Sequence, residues 1–180
     1  MKKLLTALKY FFLALGLLFL EQLPTAFIAA DQPFWQSALI ILALLIVAAL
    51  TVFVAKRVGL LNHLKDLKTW KAWKTILVGF VVLTIVKYIG GVVLLLENGI
   101  GANTENQAAL EQLGMSPLLL IVLTAIAAPI VEETVMRGLI LGRVFNNSYL
   151  GVILSSLLFG LLHIPTNIGS WIIYGGMGLV

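Results

Sequence analysis

Residues 117–141 read PLLLIVLTAIAAPIVEETVMRGLIL, an apolar run interrupted by Glu132, Glu133 and Arg137. A run of this length can cross the ~30 Å hydrocarbon core of a bilayer as a helix. Ionisable groups at that depth are costly, so they face a bundle interior or a wet cavity and point to function by default. Glu133 and Arg137 are four residues apart. They stack on one helix face, with the glutamate on the favourable amino-terminal side, and neutralise each other. Glu132 is turned about 100° from Glu133 and is directed elsewhere. Pro129 has no N–H, so the Ala125 carbonyl loses its intrahelical donor. This predicts a kink one turn before the glutamates, with room beside them for water or substrate.

The preference for lipid extends over the whole chain. Of its 180 residues 61% are hydrophobic and 11% charged, and the mean hydropathy is +1.06; a soluble domain is ~45–50% apolar and ~25% charged. Further apolar runs cover residues 4–20, 34–55, 75–96 and 149–164, and a last one starts at Trp171 and reaches Val180. The fold class expected is all-α, a polytopic membrane helix bundle of about five full spans plus a partial sixth. The first run exceeds the ~7–15 residues of a signal-peptide apolar region and reads as a retained membrane helix. Gly90-Gly91 in the third span allows a close helix approach or a bend. The sixth run falls short of the ~20 residues of a span, and Gly175, Gly176 and Gly178 make it a poor isolated helix. It is expected to be a truncated span or a segment folded back on its neighbours.

Charge orients these spans. Residues 56–74 carry Lys56, Arg57, Lys65, Lys68, Lys71 and Lys74 against a single Asp66. Leu60, Leu61, Leu64 and Leu67 fall at roughly helical spacing beside Trp70 and Trp73, which predicts a segment lying in the headgroup plane; His63 within it is expected to face solvent. Lys2, Lys3 and Arg143 fall on the same side as this loop. The loops expected around Glu21 and Asp31, and around Glu97, Glu105 and Glu111, fall on the other. The positive-inside rule then predicts a multi-pass protein of the cell membrane with a cytoplasmic amino terminus. The net charge of +4 is concentrated in one loop without an aromatic-interleaved basic surface, so no nucleic-acid partner is expected. With no cysteine there is no disulfide framework, thiolate nucleophile or thiolate metal ligand.

The fifth run places Phe159 and His163 four apart on one face. A short turn at 142–148 makes the fourth and fifth helices antiparallel neighbours. Counted from that turn at 1.5 Å per residue, Glu132 lies ~15 Å and His163 ~21 Å deep. The two can meet near the middle of the membrane, with Gly160 letting the backbones approach. A carboxylate and an imidazole there could activate water for attack on an amide carbonyl, Phe159 packing the pocket wall and Asn167 adding a further polar group. Other readings of these residues stand beside this one. A Glu–Arg pair can simply lock a bundle, an intramembrane histidine can be a structural hydrogen-bonding group, and Glu/His relays also serve transporters, although no inverted repeats or paired broken helices are visible. A catalytic zinc site uses three protein ligands, and with His163 the only histidine in reach these residues do not fill one. HExxH, Walker and serine-elbow motifs are absent.

Val131-Glu132-Glu133-Thr134-Val135-Met136-Arg137-Gly138 fits EExxxR, and Phe159-Gly160-Leu161-Leu162-His163 fits FxxxH. In this order, one helix apart, they resemble the CPBP intramembrane protease family, also called Abi, which includes the type II CAAX prenyl endopeptidases. The resemblance is anchored in about residues 117–180; residues 1–116, with three spans and the basic loop 56–74, match it only in general character and read as an N-terminal membrane region. It implies a catalytic core over 117–180 that is incomplete at its end, a further histidine followed four residues later by asparagine being expected beyond Val180. It implies an intramembrane endopeptidase in which Glu132 and His163 activate water, supported by Glu133, Arg137 and Phe159. The partners implied are the lipid bilayer and a peptide or membrane-protein substrate. The label metalloprotease attached to such enzymes implies a divalent metal such as zinc, for which Glu132 and His163 would be the ligands. The alternative is a non-catalytic membrane protein, such as a bacteriocin self-immunity or scaffold factor.

Overall fold

Long runs of Leu, Ile, Val and Ala close their backbone hydrogen bonds internally as helices, which is what a lipid surrounding demands. The computed structural model describes residues 1–62 and 64–180, and its regular elements among these are all helical. They are α1 Lys2–Thr25, α2 Phe34–Arg57, α3 Trp70–Asn98, α4 Glu105–Gln112, α5 Pro117–Val144, α6 Tyr149–Leu162 and α7 Ile168–Leu179. The protein is therefore an all-α, multi-pass membrane bundle. Four helices, α1, α2, α3 and α5, are long and apolar enough to span, whereas α6 and α7 are shorter. The expected fifth full span is thus a helix of 14 residues. It stops because Ile164 takes a left-handed φ of 50° ahead of Pro165, whose ring disfavours helical backbone in the preceding residue.

The basic segment departs from the helix expected in the headgroup plane. Leu64–Lys68 form a single 3-10 turn, and Trp70 to Lys74 are already the opening turns of α3. Thr69 starts that helix by accepting the Ala72 N–H at 3.3 Å, as N-capping threonines do. The expectation for His63 lies outside the described residues.

The chain divides into two compact units, Met1–Leu60 with Leu110–Gly151 and Leu61–Ala109 with Val152–Val180. In the first, Ile40 and Leu44 of α2 meet Leu119, Val122, Leu123 and Ala127 of α5, with Ile28 closing the cluster. Along α1, Ala14, Leu17, Glu21 and Pro24 are buried at three-four-three spacing, the seam by which one helix lies on another, and α1 packs on the second half of α5. Glu21, expected in a loop, is inside α1 and buried in that seam. The Arg143 guanidinium donates to the Val58 carbonyl and ties the end of α5 to that of α2.

Helix α5 is not uniform. Val122–Ala127 and Thr134–Val144 run in wide π turns on either side of an ordinary α segment, Ala128–Glu133, that holds Pro129 and both glutamates. The Ala128 N–H bonds the Leu123 carbonyl and the Phe145 N–H the Ile140 carbonyl, each five residues back. The disturbance expected from Pro129 takes the form of widened turns, one of the ways a helix absorbs a lost ladder bond.

In the second unit α7 folds back along α3 and α6. Its twelve residues are helical despite their glycines, because the glycines are where the neighbours sit. A Cβ on Gly90 of α3 would stand 2.6 Å from Ile173 Cγ1, one on Gly169 2.6 Å from the Leu94 backbone nitrogen, and one on Gly178 2.7 Å from Ser156 Cα. Small residues that let backbones touch are how apolar helices associate in lipid. Gly160 does the same, with Trp171 and Gly175 against it, so the approach it permits is that of α7. The Ser156 hydroxyl bonds the Gly178 carbonyl at 2.7 Å.

Candidate active site

The first polar set lies in the first unit, on the α segment of α5 and the π turns that follow. Arg137 Nε stands 3.6 Å from Glu133 Oε1, and the glutamate is 68% exposed; the pairing expected from their spacing is present, on an open face of the helix. Glu132 is half-buried, and its carboxylate lies within electrostatic reach of Glu133 and of Glu21 on α1. Sequence reasoning missed Glu21 as part of this surrounding. The signal was the heptad-like spacing of Ala14, Leu17, Glu21 and Pro24, which puts a carboxylate where a seam residue belongs.

The second set lies in the second unit. His163 follows the last residue of α6, and its Nδ1 is 2.9 Å from the Phe159 carbonyl oxygen. A carbonyl can only accept, so Nδ1 carries the hydrogen and the lone pair of the neutral ring is on Nε2. The imidazole lies 4.8 Å from the Phe159 ring and is stacked on Tyr174 at 4.4 Å with 14° between the planes. The expected Phe159–His163 face is therefore present, and Tyr174 joins it. Tyr174 is buried, and its hydroxyl pairs with Thr104 Oγ1 at 2.9 Å and accepts from Asn106 Nδ2 at 3.4 Å. Asn167, a candidate polar addition, is instead the N-cap of α7: its Oδ1 accepts the Ser170 N–H at 2.8 Å and the Ser170 hydroxyl at 2.6 Å. The two oxygens of Glu97 accept the Ile168 N–H at 3.1 Å and the Gly169 N–H at 2.8 Å, holding the start of α7 to the end of α3. Tyr174 and Glu97 also escaped sequence reasoning, since their partners lie about 70 residues away in the chain.

Among the described residues no three His, Asp or Glu side chains gather into a set that could hold a metal ion. The described residues therefore do not by themselves supply the three protein ligands of a catalytic zinc site.

Residues 114–180, which contain Glu132, Glu133, Arg137, Phe159 and His163, match the family described as Type II CAAX prenyl endopeptidase Rce1-like. Two curated bacterial proteins are similar over longer stretches. UPF0177 protein YvdC of Lactococcus lactis subsp. lactis (strain IL1403) is 33% identical over 116 residues, covering 62% of this chain and 44% of that protein. The protein named "Putative membrane peptidase YdiL" of Bacillus subtilis (strain 168) is 32% identical over 103 residues, 56% of this chain and 41% of that protein. The chain thus spans less than half the length of these curated relatives. No solved structure matches it at a significant level. By these matches residues 114–180 are similar to the Rce1-like, type II CAAX prenyl endopeptidase family.

Proposed function

We propose that the whole protein is an intramembrane endopeptidase of the CAAX type, in which Glu132 and His163 together activate a water against a peptide bond. One observation carries this reading: the stretch that matches the endopeptidase family contains Glu132 and a histidine whose Nδ1 is engaged by the Phe159 carbonyl, so that Nε2 has the lone pair. In the proposed step Nε2 accepts one hydrogen bond from the water while the Glu132 carboxylate takes its other proton. The water oxygen bonds to the carbonyl carbon, whose π electrons move onto the carbonyl oxygen. When that intermediate collapses, the C–N bond breaks and Glu132 returns its proton to the leaving amine. Glu133 and Arg137 balance charge beside Glu132, and Phe159 supports the imidazole. Residues 117–180 supply this chemistry and residues 1–116 the membrane region. The reading includes a cytoplasmic amino terminus, because Lys2, Lys3, the 56–74 segment and Arg143 then share one side. A peptide or membrane-protein segment would enter from there.

The test uses the complete reading frame in lipid vesicles and cleavage of a fluorogenic peptide library or a membrane-anchored reporter. Glu132→Gln and His163→Ala should each lower cleavage by a factor of about 100 or more. Full cleavage by both variants would eliminate the assignment.

A further inference from the structure

We infer that Tyr174 is the positioning residue of His163, a plate that holds the imidazole and is itself anchored through its hydroxyl to Thr104. This rests on the reading of His163 given above. The ring planes are nearly parallel at 4.4 Å, which restrains rotation of the imidazole about its bond to Cβ. Without that restraint a histidine at a helix end can turn over and exchange the places of its two nitrogens. The Nδ1 bond to the Phe159 carbonyl fixes one edge, and the Tyr174 face limits departure from that plane.

The plate is in turn held from outside α7. Tyr174 oxygen is 2.9 Å from Thr104 Oγ1 and 3.4 Å from Asn106 Nδ2. Thr104 is itself buried, and its hydroxyl oxygen accepts the Gln107 N–H at 3.2 Å. Leucine would fill the apolar volume as well. A hydroxyl bonded to a residue 70 positions earlier serves to place the ring, since a buried tyrosine needs a partner for its O–H. The seat of α7 completes the arrangement: Glu97 binds its first amides, and Gly90 and Gly169 admit no side chain between α7 and α3.

The His163 signals are assigned as those that His163→Gln removes, His63 being the other histidine of residues 1–180. With nitrogen-15 labelled histidine and the protein in lipid nanodiscs, the signals should show the Nδ1–H tautomer and ring protons shifted upfield by the aromatic stack. Tyr174→Leu should remove most of that upfield shift and mix the tautomers, and Tyr174→Trp should restore both. Tyr174→Phe and Thr104→Val should keep the upfield shift but broaden the signals, in a protein that is less stable but still folded; these two variants serve if Tyr174→Leu does not fold. Unaltered imidazole signals in Tyr174→Leu, or sharp wild-type signals in both Tyr174→Phe and Thr104→Val, overturn the inference. In cleavage assays Tyr174→Leu should lower kcat about tenfold with KM unchanged, with recovery in Tyr174→Trp. The two readings fail separately. If His163→Ala cleaves fully while Tyr174→Leu still moves the imidazole signals, the catalytic role falls and the positioning stands. If His163→Ala is inactive and the signals ignore Tyr174, the positioning alone falls.

Discussion

The first unit is held by large aliphatic side chains, whereas the second is held where side chains are missing. Leu44 and Leu119 are fully buried in the former, and removing water or lipid from them is what their packing supplies. In the latter, Gly90, Gly169 and Gly178 bring backbones together, and buried hydroxyls and one carboxylate bond across helices. The contrast matches the roles proposed for the two units. Glu132 rides on a helix whose turns are already widened around Pro129, a place where backbone geometry can give. His163 sits where two rings, one carbonyl and a glycine-seated helix leave little freedom. Under the proposed function, a base that meets a substrate would tolerate the first surrounding, and a ring that keeps one nitrogen forward would need the second.

That contrast predicts graded effects, measured by thermal or denaturant unfolding in detergent micelles. Gly169→Val should be the most damaging, because the new side chain meets Leu94 backbone rather than a flexible tip; a loss above ~3 kcal/mol is expected, at the upper end of overpacking. A loss below about 1 kcal/mol would mean that α7 is not seated on α3 in this way. Leu119→Ala comes next at about 2–3 kcal/mol, since aliphatic neighbours in the first unit can partly close over the cavity. If it costs more than Gly169→Val, the ranking of the two units is reversed. Glu97→Ala should cost about 1 kcal/mol, as the loss of a helix cap does, and hydrogen exchange of the Ile168 and Gly169 amides should rise. Unchanged protection of those amides would remove Glu97 from the seat. Glu133→Gln should change stability least, by about 0.5 kcal/mol, because the pair is open to its surroundings at 3.6 Å and exposed pairs contribute little. A loss of several kcal/mol would instead locate Arg137 in hydrocarbon, left without its counter-charge.

Much of the first unit could be read from its residues. The expected second span, residues 34–55, differs from α2 only by the last two residues, Lys56 and Arg57, and the Glu133–Arg137 pair follows from spacing alone. Periodicity and an i, i+4 rule are local, and these features are local too. The wide turns of α5 were not legible, because Pro129 announces a missing donor but not how the helix will make good the loss. In the second unit Phe159 and His163 were legible by the same spacing argument. Tyr174 was not, since nothing near it names Thr104 as its partner. Gly175, Gly176 and Gly178 were read through helix propensity as a defect, and in α7 tertiary contact outweighs that propensity. Asn167 shows the opposite error: an amide at catalytic-looking spacing is consumed by the start of the next helix.

The glycine seat of α7 has a consequence for alignment along the helix axis. A helix that touches its neighbours backbone to backbone has one register, because a slide of a single turn would take Ile173 and Trp171 off Gly90 and Gly160, whose hydrogens leave them room. Tyr174 is five residues from Gly169 on that rod, so its level in the bundle is set by the same indexing. The aromatic ring beside the imidazole is thus located by notches, much as a bolt is stopped by its lugs.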